Sequence, residues 1–139
     1  MWPHRGYNYA KNEGVPIPRV VVSSLVVDCR EPDTLAAFWY ELLGGELVVW
    51  PQYGVVTLRS EAITIDFVLV PDAKTVKNRL HLDIASEDPE MTIDRVVKLG
   101  GTFAEDFDLS DRFTVMRDIE ENEFCIMRDM PYEKPWQPK

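Results

Sequence analysis

The chain has 139 residues, 45% of them hydrophobic, and a formal net charge of −9, which is length enough to close one core without metal or disulfide staples. That charge argues against nucleic acid or an anionic membrane as a main partner, because both select clustered Lys and Arg. Apolar runs such as 20–27 are too short to span a bilayer and are broken by Ser23 and Ser24. The first residues lack the charged-then-apolar layout of a secretion signal, and Cys29 and Cys125 cannot build a disulfide framework. A reduced, cytoplasmic protein is the expectation.

Residues 1–18 carry Pro3, Gly14, Pro16 and Pro18 without periodicity and read as an N-terminal arm ahead of one domain over 19–139. The β-branched stretch 20–28 predicts a strand. Glu31-Pro32-Asp33 opens a helix, with acids at its positive end and proline in its first turn. Leu35, Phe38, Trp39 and Leu42 recur at helical spacing, and Gly44-Gly45 ends the element. Strands follow at 46–50, 53–59 and 62–70, then a polar connector over 71–78. Beyond it come a strand at 79–85, a helix at 89–99, and strands near 102–107, 112–118 and 123–127. The last residues, 129–139, form a Pro-rich tail holding Tyr132 and Trp136.

The second half repeats the first. Pro32-Asp33 returns as Pro89-Glu90 at an offset of 57 residues (89 − 32), and the helix end Leu43-Gly44-Gly45 returns as Leu99-Gly100-Gly101, with Gly101 set against Gly44 at the same 57 (101 − 44). A long period present only twice means a duplicated supersecondary unit rather than a solenoid. The predicted fold is therefore α+β: two tandem βαβββ modules, about 19–70 and 78–128, forming a cupped mixed sheet with helices on its outer face.

Period-2 alternation assigns side chains to that cup. Leu25, Val27, Ile63, Ile65, Phe67, Leu69, Leu80, Leu82, Ile84, Phe124 and Ile126 belong under the helices. Ser24, Val26, Asp66, Val68, His81, Asp83, Glu123, Cys125 and Met127 point the other way and are the candidate ligand-binding residues. Trp50 and Tyr53 flank a turn at the sheet rim. Lys74, Lys77 and Arg79 form the one local basic cluster; they either steer an anionic ligand or simply solvate the connector.

On residues 27–33, 35–39, 42–45, 70–71, 74–83, 99–101 and 122–125, the chain resembles the vicinal oxygen chelate superfamily, the glyoxalase, bleomycin resistance and dioxygenase group. Within it, the chain is most similar to glyoxalase-like domains of actinobacterial type. The resemblance implies paired βαβββ modules, often completed by a dimer. It also implies metal-ligand positions on the first and last strands of each module, which fall on Ser24, His81, Cys125 and near Asp66. A neutral serine is a poor ligand, and a site of that type wants His, Gln and carboxylate. The family's D-P-x-G-N turn reads Asp118-Ile119-Glu120-Glu121-Asn122 here, with Glu121 where a glycine usually supplies positive φ.

His81 can ligate a metal, act as a base, or be a satisfied cup histidine. His81, Glu123 and Asp66 are the candidate catalytic residues, and the same three would be the ligands if a divalent metal bound. Cys125, in an apolar strand without a sequence-adjacent activator, reads as a buried inert thiol, as does Cys29. No cofactor is expected. The expected function is binding of a small organic molecule in the cup without the usual metal, by a homodimer. The alternative is a metal-dependent lyase, isomerase or dioxygenase of the vicinal oxygen chelate type. The residues leave enzyme and binder undecided.

Overall fold

Each half of the chain folds as the same four-stranded mixed sheet covered by one helix. The computed structural model describes residue 18 and residues 20–104 and 112–128; the expected arm and tail lie almost wholly outside these. The first module comprises β1 (Leu25–Cys29), α1 (Pro32–Leu43), β2 (Glu46–Trp50), a 3-10 turn (Pro51–Tyr53), β3 (Val55–Arg59) and β4 (Thr64–Leu69). The second comprises β5 (Asp83–Ala85), α2 (Pro89–Lys98), β6 (Thr102–Phe103), β7 (Phe113–Arg117) and β8 (Glu123–Met127). Strand orders are β1-β4-β3-β2 and β5-β8-β7-β6, with β1 parallel to β4 and β5 parallel to β8. This is the α+β duplication that the repeat predicts.

The helices are held by the residues that the periodicity singled out. Leu35, Ala36, Phe38 and Trp39 are the buried face of α1, and Ile93 and Val96 that of α2. They join Val56, Leu58, Ile65, Phe67, Met116, Phe124 and Ile126 in one cluster that crosses both modules. Asp88 caps α2, its side chain accepting from the Met91 N–H at 3.0 Å.

Three expectations need correction. β1 starts at Leu25 rather than Val20, because Val20, Val21 and Val22 lie exposed ahead of it. β5 begins at Asp83 rather than Arg79, and Leu80, expected in the core, is 71% exposed. Upstream of Asp83 the connector is drawn to the Glu123 carboxylate instead, which takes the Asn78 N–H at 2.9 Å. Leu69, expected under the helix, is also exposed at the end of β4.

The glycine pairs explain why the repeat is not uniform. A Cβ on Gly45 would sit 2.0 Å from the Arg59 carbonyl oxygen, and one on Gly101 would sit 2.9 Å from that of Arg117. Arg59 ends β3 and Arg117 ends β7. The structural partners are therefore Gly45 and Gly101, an offset of 56 (101 − 45), with Gly44 and Gly100 at positive φ before them. By the last strand the offset has grown to 59 (125 − 66), since Asp66 pairs with Val26 as Cys125 pairs with Asp83. Part of that growth lies in the turn 118–122, where Glu121 adopts φ 68.

A left-handed residue with a Cβ is strained by about 1–2 kcal/mol. Glu121→Gly should therefore stabilise the protein by about 1 kcal/mol after the entropy that glycine loses. Thermal denaturation reads this as a rise of about 3 °C in Tm.

Candidate functional site

Four backbone and side-chain donors converge on one buried carboxylate between the modules. Asp118 is 3% exposed. It accepts from the Glu120 and Asn122 N–H groups, from Asn122 Nδ2, and from Trp39 Nε1 of α1 at 3.1 Å. Burial pushes its carboxyl above the usual range, and the bonds from Asn122, Trp39 and Glu120 only partly offset that. Two residues on, the Glu120 carboxylate accepts from the Arg30 and Glu31 N–H groups at 2.7 and 3.0 Å. It thus caps the start of α1, whose own N-cap Glu31 makes no side-chain cap bond.

The second buried acid organises the candidate site. Glu123, at the start of β8, is 4% exposed. Its carboxylate accepts from Lys74 Nζ and the Asn78 N–H, both at 2.9 Å, and Arg117 Nε lies 3.8 Å away. Burial alone would raise its pKa, but the bonds from Asn78 and Lys74 outweigh that and hold the carboxyl below its ordinary value. The basic connector thus has a definite task at Lys74: it is tied down over the second sheet.

Two cavities flank this tether. One, of about 400 Å³, lies at the seam between the modules. Its walls come from Leu25, Trp39, Phe67, Leu82 and Phe124, with Lys74 and Arg79 among its polar residues. The other, of about 310 Å³, lies on the concave face of the second sheet. Phe113 and Val115 of β7 and Met127 of β8 make its apolar wall, while Lys77, His81, Asp83, Glu123 and Cys125 supply its polar and thiol groups. Phe113 and Val115 are not among the expected cup residues; alternation along β7 carries the signal for them.

The expected site residues therefore separate. His81 and Glu123 line both cavities; Asp83, Cys125 and Met127 line the concave one, and Val26 lines the seam. Ser24, Asp66 and Val68 line neither. Asp66 instead accepts from the Thr57 hydroxyl at 2.5 Å, and Thr57 in turn accepts from Trp50 Nε1 at 3.2 Å. Around His81 the arrangement is different from the one expected. His81 Nε2 lies 3.3 Å from Asp83 Oδ1. One ligand atom each of His81, Asp83 and Cys125 lie within 4.8 Å of one another, the group of this kind found among the described residues. These atoms are near enough for a divalent cation to draw them together. The donor set, with its sulfur, suits a thiophilic ion and does not fit a hard, oxygen-seeking one. Cys29, by contrast, is buried in the core, and its thiol is pushed up to about 12 by burial and then by Glu120, Asp118 and Asp28.

The family model described as "Glyoxalase-like domain" matches residues 24–127, nearly the whole of both modules. The chain belongs to the glyoxalase-like domain family. No curated protein matches it. Among solved structures, it is similar to a glyoxalase/bleomycin resistance protein/dioxygenase family enzyme from Burkholderia phytofirmans PsJN. That likeness has 17% identity and a TM-score of 0.60, over 75% of this chain and 94% of that one. It is similar also to the fosfomycin resistance protein FosX from Listeria monocytogenes, at 13% identity and a TM-score of 0.64, over 84% and 97% of the two chains. A mutant of that FosX, complexed with Mn(II) and 1S,2S-dihydroxypropylphosphonic acid, aligns at 14% identity and a TM-score of 0.62, over 79% and 90%. These likenesses establish the two-module fold of the superfamily. No helix among the described residues is long and apolar enough to cross a membrane.

The tether at Glu123 makes a pH prediction. A carboxyl held low in the folded state contributes stability above its unfolded value, and that contribution is lost as pH falls through the folded value. Wild-type stability should therefore drop on the acid side of pH 4.5, the ordinary value for this group. Glu123→Gln should lower stability at pH 7 and flatten that acid-side slope, as measured by urea denaturation across pH 3–7.

Proposed function

We propose that the protein binds a small organic molecule in the concave cavity of the second sheet, without the hard metal ion of its metal-dependent relatives. The observation that carries this reading is the cavity's composition: an apolar wall of Phe113, Val115 and Met127 facing a polar corner of His81, Asp83 and Cys125. Its volume, about 310 Å³, falls at the lower end of the range of about 300–1,000 Å³ for small-molecule sites. Glu123 does not repel an anionic group there, because Lys74 already neutralises it. Lys77 adds a cation at the same wall. His81 can donate or accept, according to its tautomer, and so can orient a carbonyl or hydroxyl.

The departures from the family's ligand pattern support binding over metal chemistry. Ser24 lies outside both cavities, Asp66 is engaged by Thr57, and a thiol occupies the last-strand position. One observation favours the alternative of a metal-dependent lyase, isomerase or dioxygenase. The trio of His81, Asp83 and Cys125 is close enough to gather round a cation, and the FosX relative is crystallised with Mn(II) and a small phosphonate. A homodimer is supported by the exposed apolar residues Val20, Val21, Val22 and Val26 about β1, an edge strand among the described residues.

Thermal-shift measurements separate the two readings. Aromatic compounds, neutral or anionic, should raise Tm without added metal, and Met127→Trp, which fills the cavity, should abolish that rise. Elemental analysis of the purified protein should find well below one metal per chain. Stabilisation only by a metal together with a vicinal diol or dicarbonyl would transfer the site to the metal-dependent class. For assembly, sedimentation at micromolar concentration should give about twice the chain mass of 16.1 kDa.

A further inference from the structure

Both cysteines are buried, Cys125 at 8% exposure, but their surroundings differ. Cys29 is 2% exposed in the shared core among acids, whereas Cys125 forms part of the wall of the concave cavity. The parallel register of β5 and β8 sets Asp83 beside Cys125. His81, two residues before Asp83 and just ahead of the strand, lines the same cavity. A ring nitrogen of His81, a carboxylate oxygen of Asp83 and Cys125 Sγ lie within 4.8 Å of one another, and His81 Nε2 is 3.3 Å from Asp83 Oδ1. A thiol, an imidazole and a carboxylate placed together in a cavity are the components of an activated nucleophile.

We propose that Cys125 is such a nucleophile, with His81 as its proton acceptor and Asp83 as the residue that positions the imidazole. The ligand class is an uncharged, electron-poor alkene with an apolar body, such as an α,β-unsaturated carbonyl compound. This rests on the concave cavity as the binding site. The His81 side chain is 39% exposed, so it can turn the remaining distance toward sulfur, as catalytic pairs do on ligand binding. The other charged groups at this cavity are Lys77 and Glu123, and Glu123 is already held by Lys74 with Arg117 nearby. Phe113, Val115 and Met127 meet the apolar body.

The step balances without a co-reactant. The Sγ–H proton passes to His81, and the sulfur pair forms a C–S bond at the β-carbon of the alkene. The C=C π pair moves to the α-carbon, which then takes the proton back from His81. Sulfur and alkene are joined as a thioether, and nothing is oxidised or reduced overall. The relatives' chemistry on a divalent ion has no part in it.

The test is alkylation of the full chain at pH 7.5 by iodoacetamide and by N-phenylmaleimide, with peptide mapping by mass spectrometry. Cys29 is the internal reference. Cys125 should react about a hundredfold faster than Cys29, and His81→Ala should remove most of that advantage. Added imidazole should restore part of it, which a merely structural role for His81 would not allow. Asp83→Asn should slow Cys125 at unchanged Tm, and Asp83→Glu should recover the rate. Equal, slow reaction of both cysteines, no effect of His81→Ala, or a Cys125 that reacts only after chelator treatment would overturn the proposal. Saturation of the N-phenylmaleimide rate, and its loss in Met127→Trp, report cavity binding separately. A fast iodoacetamide reaction without saturation would uphold the nucleophile and remove the binding reading. Protection of a slow Cys125 by N-phenylsuccinimide would do the reverse.

Discussion

The two modules are held in one relationship by the hydrogen bond from Trp39 to Asp118. A buried carboxylate is costly unless its acceptor sites are filled, and Asp118 fills them with donors from its own turn and from the helix of the other module. Hydrogen bonds to a charged group are worth about 1.5–3 kcal/mol each, so this link is a substantial share of a domain's net stability. It is reinforced by packing: Trp39 stacks edge-on against Phe124 with ring centroids 4.8 Å apart, and against Phe38 at 5.6 Å. The same turn extends Glu120 to the first turn of α1. One five-residue turn in the second module therefore fixes where the first module's helix begins and how its tryptophan sits.

This arrangement accounts for the strain at Glu121. The left-handed residue lets the chain reverse while the N–H groups of Glu120 and Asn122 both point at Asp118. A turn that satisfied its own backbone more comfortably would aim those donors elsewhere and leave the carboxylate short of partners. The first module closes its equivalent β3–β4 connection with a shorter turn, in which Ser60 bonds Ile63 and no hydrogen bond to the other module is found among the described residues. The asymmetry between the halves is thus functional in the structural sense: one turn latches, and its counterpart only reverses the chain.

Much of this was legible in the residues, and the failures have physical causes. Helical spacing at Leu35, Phe38 and Trp39 identified the buried face of α1, and the paired prolines and glycines identified the duplication. Alternation correctly placed His81, Asp83, Cys125 and Met127 together on one face. It erred for Leu80 because alternation presumes a strand, and the ladder stops where Glu123 captures the connector through Lys74 and Asn78. A pairing across 45 to 49 residues leaves no local pattern to read. Asp66 failed as a partner of His81 for a similar reason. Facing is a property of one strand, whereas membership of a cavity depends on how two sheets are set relative to one another, to which the Trp39–Asp118 bond, the Glu120 contacts and the shared core all contribute.

If Cys125 acts as proposed, one atom changes the chemistry that this fold supports. A carboxylate on the last strand is a hard donor that waits for a cation; a thiol in that place is a soft donor and, once its proton has somewhere to go, a nucleophile. Here the neighbours that would have completed a metal's coordination are also the neighbours that could take and steer a proton, since imidazole and carboxylate serve both purposes. What decides between those uses is the rest of the coordination sphere. A metal ion needs further donors, and the first-strand position offers only Ser24, outside the cavity. A nucleophile needs only a base within reach and an apolar wall to hold its target, and His81, Phe113, Val115 and Met127 supply those on a single sheet face. On the proposed reading, therefore, His81, Asp83 and Cys125 serve sulfur chemistry with the donors they already have, whereas a metal would need donors from beyond this face.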